Sequence, residues 1–297
     1  MRYMDLHIHT NGSDGENTAL EIEKMMEEQK ASAYAITDHD TIGGILHFTP
    51  KKNGIFFIPG IEVSVVDPHL PKSSRIHILG YGIDIHNKEL HRSLAKLHAY
   101  SVASFYEKWG YLKENYKETV QCISEEEIAS ITHLSRNIGS PDLANLFVKK
   151  GITKGVQEAF DLCLAEANRE TKFCRKSILP EEGIDIIRKA SGYPVIAHPI
   201  TIMEDLRELK EYILYLKEIG IAGVETSHYK YTEKHRQFFQ FLCRQHNLLE
   251  SGGTDYHGVH IKPDVKILSG KNNNVQVKQL SLVDEIRRNN GQKIMVG

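Results

Sequence analysis

Tyr3-Met4-Asp5-Leu6-His7-Ile8-His9, running into the loop Asn11-Gly12-Ser13-Asp14-Gly15, is the stretch on which the reading of the chain turns. Its alternation gives a short strand with His7 and His9 on one face and Leu6 and Ile8 on the other. Two imidazoles on one face can converge on a single cation, and Asp14 sits in a loop able to turn a carboxylate back to the same place. Residues 18–32 then carry helix-favouring Ala, Leu, Glu, Lys and Met, with apolar positions at Ile22, Met25 and Met26. Tyr34-Ala35-Ile36-Thr37 opens a second strand. A strand that feeds a helix and then another strand is the repeating unit of an α/β domain.

The same alternation continues outward. Ile55–Ile58, Ile61–Val66 and Ile76–Ile83 read as strands, the last two as a hairpin opened by Asp67-Pro68. From Asn87 to Leu179 the texture is helical with no convincing strand, as in Leu90, Leu94, Leu97, Phe105, Trp109 and Leu112, so residues 87–179 read as a helical insertion. Residues 1–86 and 180–297 then form one discontinuous domain. After Pro180 strands are expected at Val195–Ala197, Gly223–Thr226 and Leu248–Ser251, and helices at Met203–Ile219, Thr232–His246 and Leu280–Asn289. A closing strand is expected at Lys293–Val296.

Composition narrows the function. The chain has 297 residues, 40% hydrophobic and 26% charged, with Lys+Arg 37 against Asp+Glu 39 and a net charge of −2. No overall field draws it onto duplex nucleic acid or an anionic membrane, so any phosphate recognition is local. No apolar run approaches the roughly 18 residues of a membrane span, and the first residues lack a signal-peptide core, which reads as a cytoplasmic protein. Cys122, Cys163, Cys174 and Cys243 form no C-x-x-C pair and read as reduced packing residues. The unusual entry is 16 histidines.

Several of these histidines stand with acids at strand ends, where α/β folds place their chemistry. Thr37-Asp38-His39-Asp40 follows the second strand; His39 is the natural ligand there, and Asp38 and Asp40 either orient imidazoles or cap a following helix. Glu62 is the lone acid in Pro59-Gly60-Ile61-Glu62-Val63-Ser64, and a buried ionised carboxylate must be paired or metal-bound. His77, alone in Arg75-Ile76-His77-Ile78-Leu79-Gly80, is by itself more simply a hydrogen-bonded core histidine. His198 follows Val195-Ile196-Ala197, and Asp255 and His257 follow Gly252-Gly253-Thr254. Nine His, Asp and Glu residues sit at the ends of six separate strands, and independent structural roles for all of them would be a coincidence.

With these residues assembled, the chain resembles the PHP family, named for polymerase and histidinol phosphatase. Its four motifs are matched by His7-Ile8-His9, Thr37-Asp38-His39 continuing to Glu62, Ala197-His198-Pro199 and Asp255-Tyr256-His257. His77-Ile78-Leu79-Gly80-Tyr81 and Glu225-Thr226-Ser227-His228 extend the match toward a subgroup with a helical insertion, similar to nucleoside 3′,5′-bisphosphate phosphatases and 5′→3′ exoribonucleases. The resemblance implies a distorted (β/α)7 barrel with two or three divalent ions, Mn, Fe or Zn, at the strand C-termini. It implies His7, His9, Glu62 and Asp255 on a first ion, Glu62 bridging to a second held by His77 and His198, and Asp14, His39 and His257 on a third. Asp38 and Asp40 would stand behind these ligands, and His7, His9, Glu62, Asp255 and His257 would carry catalysis.

The reaction so implied is hydrolysis of a phosphomonoester or phosphodiester, of a nucleotide or short RNA first and of a histidinol-phosphate-like small molecule as the alternative. A non-catalytic, metal-stabilised binding module is the reading outside enzymes. One departure bears on substrate: where the subgroup carries Arg-Pro-His followed by Ala-Arg, this chain has Ser140-Pro141-Asp142-Leu143-Ala144-Asn145. Bidentate arginine contacts to a second phosphate are therefore missing. Arg136, Lys149, Lys150, Arg169, Arg175 and Lys176 are the cations available in their stead, with Arg136, Arg175 and His228 the candidates for substrate contact.

Overall fold

The computed structural model describes residues 2–70, 76–134, 138–171 and 177–296. Seven strands, β1 (Met4–Asp5), β2 (Ala33–Ile36), β3 (Phe56–Val65), β4 (Ile76–Tyr81), β5 (Tyr193–Ile196), β6 (Gly223–Ser227) and β7 (Leu249–Gly252), pair in sequence order. Pairing is parallel except that β4 runs antiparallel to both β3 and β5. The two ends of the sheet meet: Leu6 N donates to Gly252 O at 3.1 Å, His9 N donates to Tyr256 O at 2.9 Å, and Ile8 bridges Tyr256 in parallel. The result is a distorted (β/α)7 barrel.

Register explains why one end of the barrel is apolar and the other chemical. Period two puts Ile58, Gly60 and Glu62 on one face of β3, and pairing sets Gly60 against Tyr81 and Glu62 against Leu79, with His77 on that same face of β4. Ala33, Ala35, Ile58, Leu79, Tyr81 and Val195 form a core with Leu282, Val283 and Ile286 of the last helix, Ser281–Val296. Polar residues follow where the strands run out beyond this layer.

Local signals start and stop the flanking helices. Thr18 and Glu21 form a reciprocal cap on Ala19–Glu28, whose Ile22 and Met26 are wholly buried, each contributing about 1.5–3 kcal/mol. Asp205 accepts from Arg207 N and Glu208 N at the start of Leu206–Glu218, and Leu209, Ile213 and Leu216 bury one stripe of that helix. The helix Glu233–His246 starts at Thr232 and ends at Asn247, held at φ 51°.

By contact density the chain divides into Met1–His91 with Ile178–Gly297, and Arg92–Ser177. The second unit has its own core of Phe105, Trp109, Leu112, Leu143, Phe147 and Leu164. In it Asp142 Oδ2 accepts from Gly139 N at 2.7 Å and Ser140 Oγ donates to Asn168 Oδ1 at 2.5 Å, so the residues standing in place of the subgroup's basic tract begin a helix, Ser140–Lys149.

Three expectations are corrected. The runs Ile55–Ile58 and Ile61–Val66 are one continuous strand, since Pro59 and Gly60 stay extended within the ladder. Residues 293–296 are helical, not a closing strand: the free edge of β7 is already taken by the segment after β1, leaving nothing for an eighth strand to pair with. Cys122 is exposed, whereas Cys163 and Cys243 are buried and free; Cys174 lies outside the described residues. Among the described residues no helix is long and apolar enough to cross a membrane.

Candidate metal centre

Glu62 is the hub of the chemical end. Its side chain is fully buried, and five imidazole nitrogens surround it: His7 Nε2 (3.2 Å), His9 Nε2 (3.1 Å) and His39 Nδ1 (3.2 Å) at Oε2, with His77 Nδ1 (3.0 Å) and His198 Nε2 (3.0 Å) at Oε1. Asp255 Oδ1 lies 3.4 Å from His9 Nε2, 3.7 Å from His7 Nε2 and 3.4 Å from His257 Nδ1. Asp14 lies 3.5 Å from His9, 3.9 Å from His39 and 3.4 Å from His257. The nine residues thus form one connected cluster of carboxylate oxygens and imidazole nitrogens.

The backbone that aims them is held by other acids. Asp38 accepts from Thr10 N (2.7 Å), Thr10 Oγ1 (2.6 Å) and Ser13 Oγ (2.7 Å), fixing the loop that carries Asp14. Asp40 accepts from Ser64 N at 2.7 Å while its own N–H donates to Glu62 O, tying the end of β2 to β3. Turns follow Asp40, so it has no helix to cap. Asp40, His198 and Asp255 all have positive φ (52°, 28° and 54°), backbone strain of the kind that gathers at working sites.

Outer hydrogen bonds fix which nitrogen lone pairs point inward. Glu225, held ionised although burial pushes its pKa up because His7 and His228 stand beside it, accepts from His7 Nδ1 at 2.9 Å, leaving His7 Nε2 toward Glu62. Thr201 Oγ1 spends its proton on His198 O, so His198 Nδ1 donates to Thr201 and Nε2 faces Glu62. His257 Nδ1 donates to the carbonyl of Asp255 at 2.9 Å, leaving Nε2 toward Asp14. Lone pairs facing carboxylate oxygens repel unless a cation stands between them.

Electrostatics agree. Burial opposes ionisation of Glu62, Asp14 and Asp255, yet neighbouring imidazoles, and Lys262 for Asp255, hold all three well below the usual carboxylate range. Burial holds His39, His198 and His257 below the ordinary imidazole value, the neutral form a metal requires. Burial likewise opposes charging His9, but Asp255, Glu62 and Asp14 pull it up to about 9, so positive charge is wanted at this spot. His9 Nδ1 and Nε2 and His39 Nδ1 are buried with no well-formed hydrogen bond, and a carboxylate cannot accept from five imidazoles at once. Among the described residues three groupings have ligand atoms close enough for one ion: His9, Asp14, His39 and His257; His7, His9 and Glu62; and His39, Glu62 and His77. The residues present fit divalent metal.

The remaining site expectations fall variously. His228 is buried; its Nδ1 accepts from Lys230 N, so Nε2 donates to Asp255 Oδ2 at 3.4 Å. Arg136 and Arg175 lie outside the described residues. Sequence reasoning missed Glu225, Asp5 and Lys262 as members of the site. Glu225, a lone acid in Gly223-Val224-Glu225, carried the same signal that marked Glu62. Asp5 accepts from Thr254 N and Oγ1 and from Leu268 N, and burial raises its pKa to about 6.

A barrel with His, Asp and Glu gathered at one end defines a scaffold whose residues could hold divalent metal. The PHP domain profile matches residues 5–173, more than half the sequence, and the chain belongs to the PHP domain family. It is 26% identical over 260 residues to the 5′-3′ exoribonuclease Rnm of Escherichia coli, covering 85% of this chain and 84% of that protein. It is 26% identical to a 3′,5′-nucleoside bisphosphate phosphatase of Chromobacterium violaceum (86% and 88% covered) and 25% identical to a phosphoribosyl 1,2-cyclic phosphate 1,2-diphosphodiesterase of Eggerthella lenta (86% and 94% covered). A solved structure from Bifidobacterium adolescentis, assigned as a metal-dependent phosphoesterase, superposes with a TM-score of 0.73 at 23% identity, covering 96% of this chain and 95% of that one, and supports the fold alone.

Proposed function

We propose that this PHP-family protein is a metal-dependent phosphoesterase that hydrolyses a phosphomonoester or phosphodiester of a nucleotide or short oligonucleotide. The observation that carries the reading is the set of imidazoles gathered on Glu62, Asp14 and Asp255, of which His7, His198 and His257 are each fixed from behind by a named contact that turns Nε2 toward Glu62 or Asp14. In this reading His7, His9, Glu62 and Asp255 would hold one ion, Glu62 with His77 and His198 a second, and Asp14, His39 and His257 a third. Bound divalent ions supply Lewis acidity for the phosphoryl oxygens and a water acidic enough to act near neutral pH. Glu62, with imidazoles at both of its oxygens, is the residue that would be shared between two of them. Glu225 and Thr201 keep His7 and His198 in the tautomer that presents Nε2, and Asp38 holds the Asp14 loop. The ligand set contains no thiolate, which suits Mn, Fe or Zn with exchangeable positions.

A second reading has its own observation. Asp142 caps the start of a helix and Ser140 donates to Asn168, so neither offers phosphate the donors that the absent arginines would, which favours a substrate with a single phosphate, of the histidinol-phosphate kind, over a bisphosphate. Metal analysis of the purified protein, followed by phosphate release from nucleoside 3′,5′-bisphosphates, short 5′-phosphorylated RNA, a cyclic phosphodiester and histidinol phosphate, tests both. Bound metal with no turnover on any of them would leave a binding module and sink the enzymatic reading.

A further inference from the structure

Asp255 presents its two oxygens to different neighbours. Oδ1 faces His7, His9 and His257, while Oδ2 takes Lys262 Nζ at 2.7 Å and His228 Nε2 at 3.4 Å. Lys262 also donates to the carbonyl of Asp255 at 3.3 Å, and its ammonium lies 5.6 Å from the centre of the Tyr229 ring. A turn closed by Lys262 N on Gly258 O fixes where the side chain starts. An ammonium has three N–H groups. Two are spent on Asp255, the third has no further hydrogen-bond partner among the described residues, and a quarter of the side chain is exposed. The ammonium is therefore fixed one carboxylate's width from the edge that faces the imidazoles, with one N–H not committed to a hydrogen bond among the described residues.

We propose that Lys262 is the cation that binds the substrate's phosphate at this site, in place of the arginines this chain lacks at Ser140 and Asn145. The inference rests on the phosphoesterase reading. Were Asp255 to share its charge with a metal, Lys262 would no longer be fully neutralised, and its third N–H would be available to a phosphate oxygen at the same centre. A lysine serves as a point charge, which suits one phosphate and does not demand the bidentate geometry of arginine. His228 stays on Asp255 Oδ2 and keeps that carboxylate oriented as Lys262 turns part of its charge to the substrate.

The test uses the Mn2+-loaded full chain, with inorganic phosphate as the probe in calorimetry and metal content measured on the same samples. Lys262→Met is expected to weaken phosphate binding about 10- to 100-fold, the worth of one hydrogen bond to a charged group, at unchanged Mn2+ content. It should raise KM more than it lowers kcat, and Lys262→Arg should restore most of the phosphate affinity. Phosphate binding as tight in Lys262→Met as in wild type would overturn the inference. So would loss of Mn2+ in parallel with phosphate, since Lys262 would then act only by positioning Asp255. Failure of the phosphoesterase reading shows separately, as wild-type protein without metal-dependent turnover, because the phosphate titration needs no catalysis.

Discussion

His7 Nδ1 and Glu225 Oε1 lie 2.9 Å apart, and neither side chain has any solvent exposure. The contact makes His7 an oriented ligand, because the proton on Nδ1 leaves the Nε2 lone pair directed to Glu62. Glu225 also accepts from His198 N at 2.7 Å, so one carboxylate fixes two of the histidines. Glu225→Gln keeps the shape but can place an amide N–H against His7 Nδ1, reversing the ring's preferred tautomer. Metal affinity should fall about 10- to 100-fold, as for other partners of metal-bound histidine. Chelator competition at equilibrium measures this, and an unchanged affinity would remove Glu225 from the site.

Glu62→Gln should have a larger and double effect. An amide cannot bridge two cations, so metal content should drop and turnover fall by more than the Glu225 variant shows. The amide also removes the negative charge that faces protonated His7 and His9, both fully buried, and breaking a buried charged pair costs about 3–5 kcal/mol. Thermal melts of the metal-free protein should therefore show the variant below wild type. Equal melting temperatures would mean that the imidazoles do not depend on Glu62.

The legibility of the site followed burial logic. Glu62 stood out as an acid in an apolar strand and His7-Ile8-His9 as a period-two pair, because both contrast with their neighbours in sequence. Glu225, between Val224 and Thr226, had the same contrast. Lys262 had none: it sits in a polar loop, and its meaning comes from a contact with Asp255 that the turn at Gly258 creates. The barrel was legible from alternation of strand and helix. The helical end at residues 293–296 was not, because Ile294, Met295 and Val296 suit a strand locally and only the closure between Leu6 and Gly252 removes the edge they would need.

That closure gives a further test. At Gly253 a Cβ would lie 2.3 Å from His7 N and 2.6 Å from His7 Cβ, so the residue just after β7 passes against the segment after β1 that carries the first two proposed ligands. Gly253→Ala must push His7 and Asp5 away, at about 1–3 kcal/mol for overpacking. Because the displaced residue is a proposed ligand, metal affinity should fall together with stability. Gly151→Ala is the control: a Cβ there meets nothing within 4 Å, so only the strain of its positive φ (70°) enters. A Gly253 variant that loses no more metal than the Gly151 variant would show that the barrel seam does not tune the site.

Removing metal should itself cost stability. Without cations, inward lone pairs on His7, His198 and His257 face the oxygens of Glu62 and Asp14, and protons on His7 and His9 are the substitute the structure favours. An ion that binds the folded chain and not the unfolded one adds about 2.7 kcal/mol at a hundredfold excess over its Kd. For a domain of this size that is a rise in Tm on the order of 5 °C or more. The rise should saturate with added Mn2+, reverse with chelator, and be much reduced in Glu62→Gln, which lacks the bridging oxygen. A general effect of salt on the surface would raise wild type and variant alike. Equal shifts in the two would therefore count against the cluster around Glu62 as the place where the ions bind.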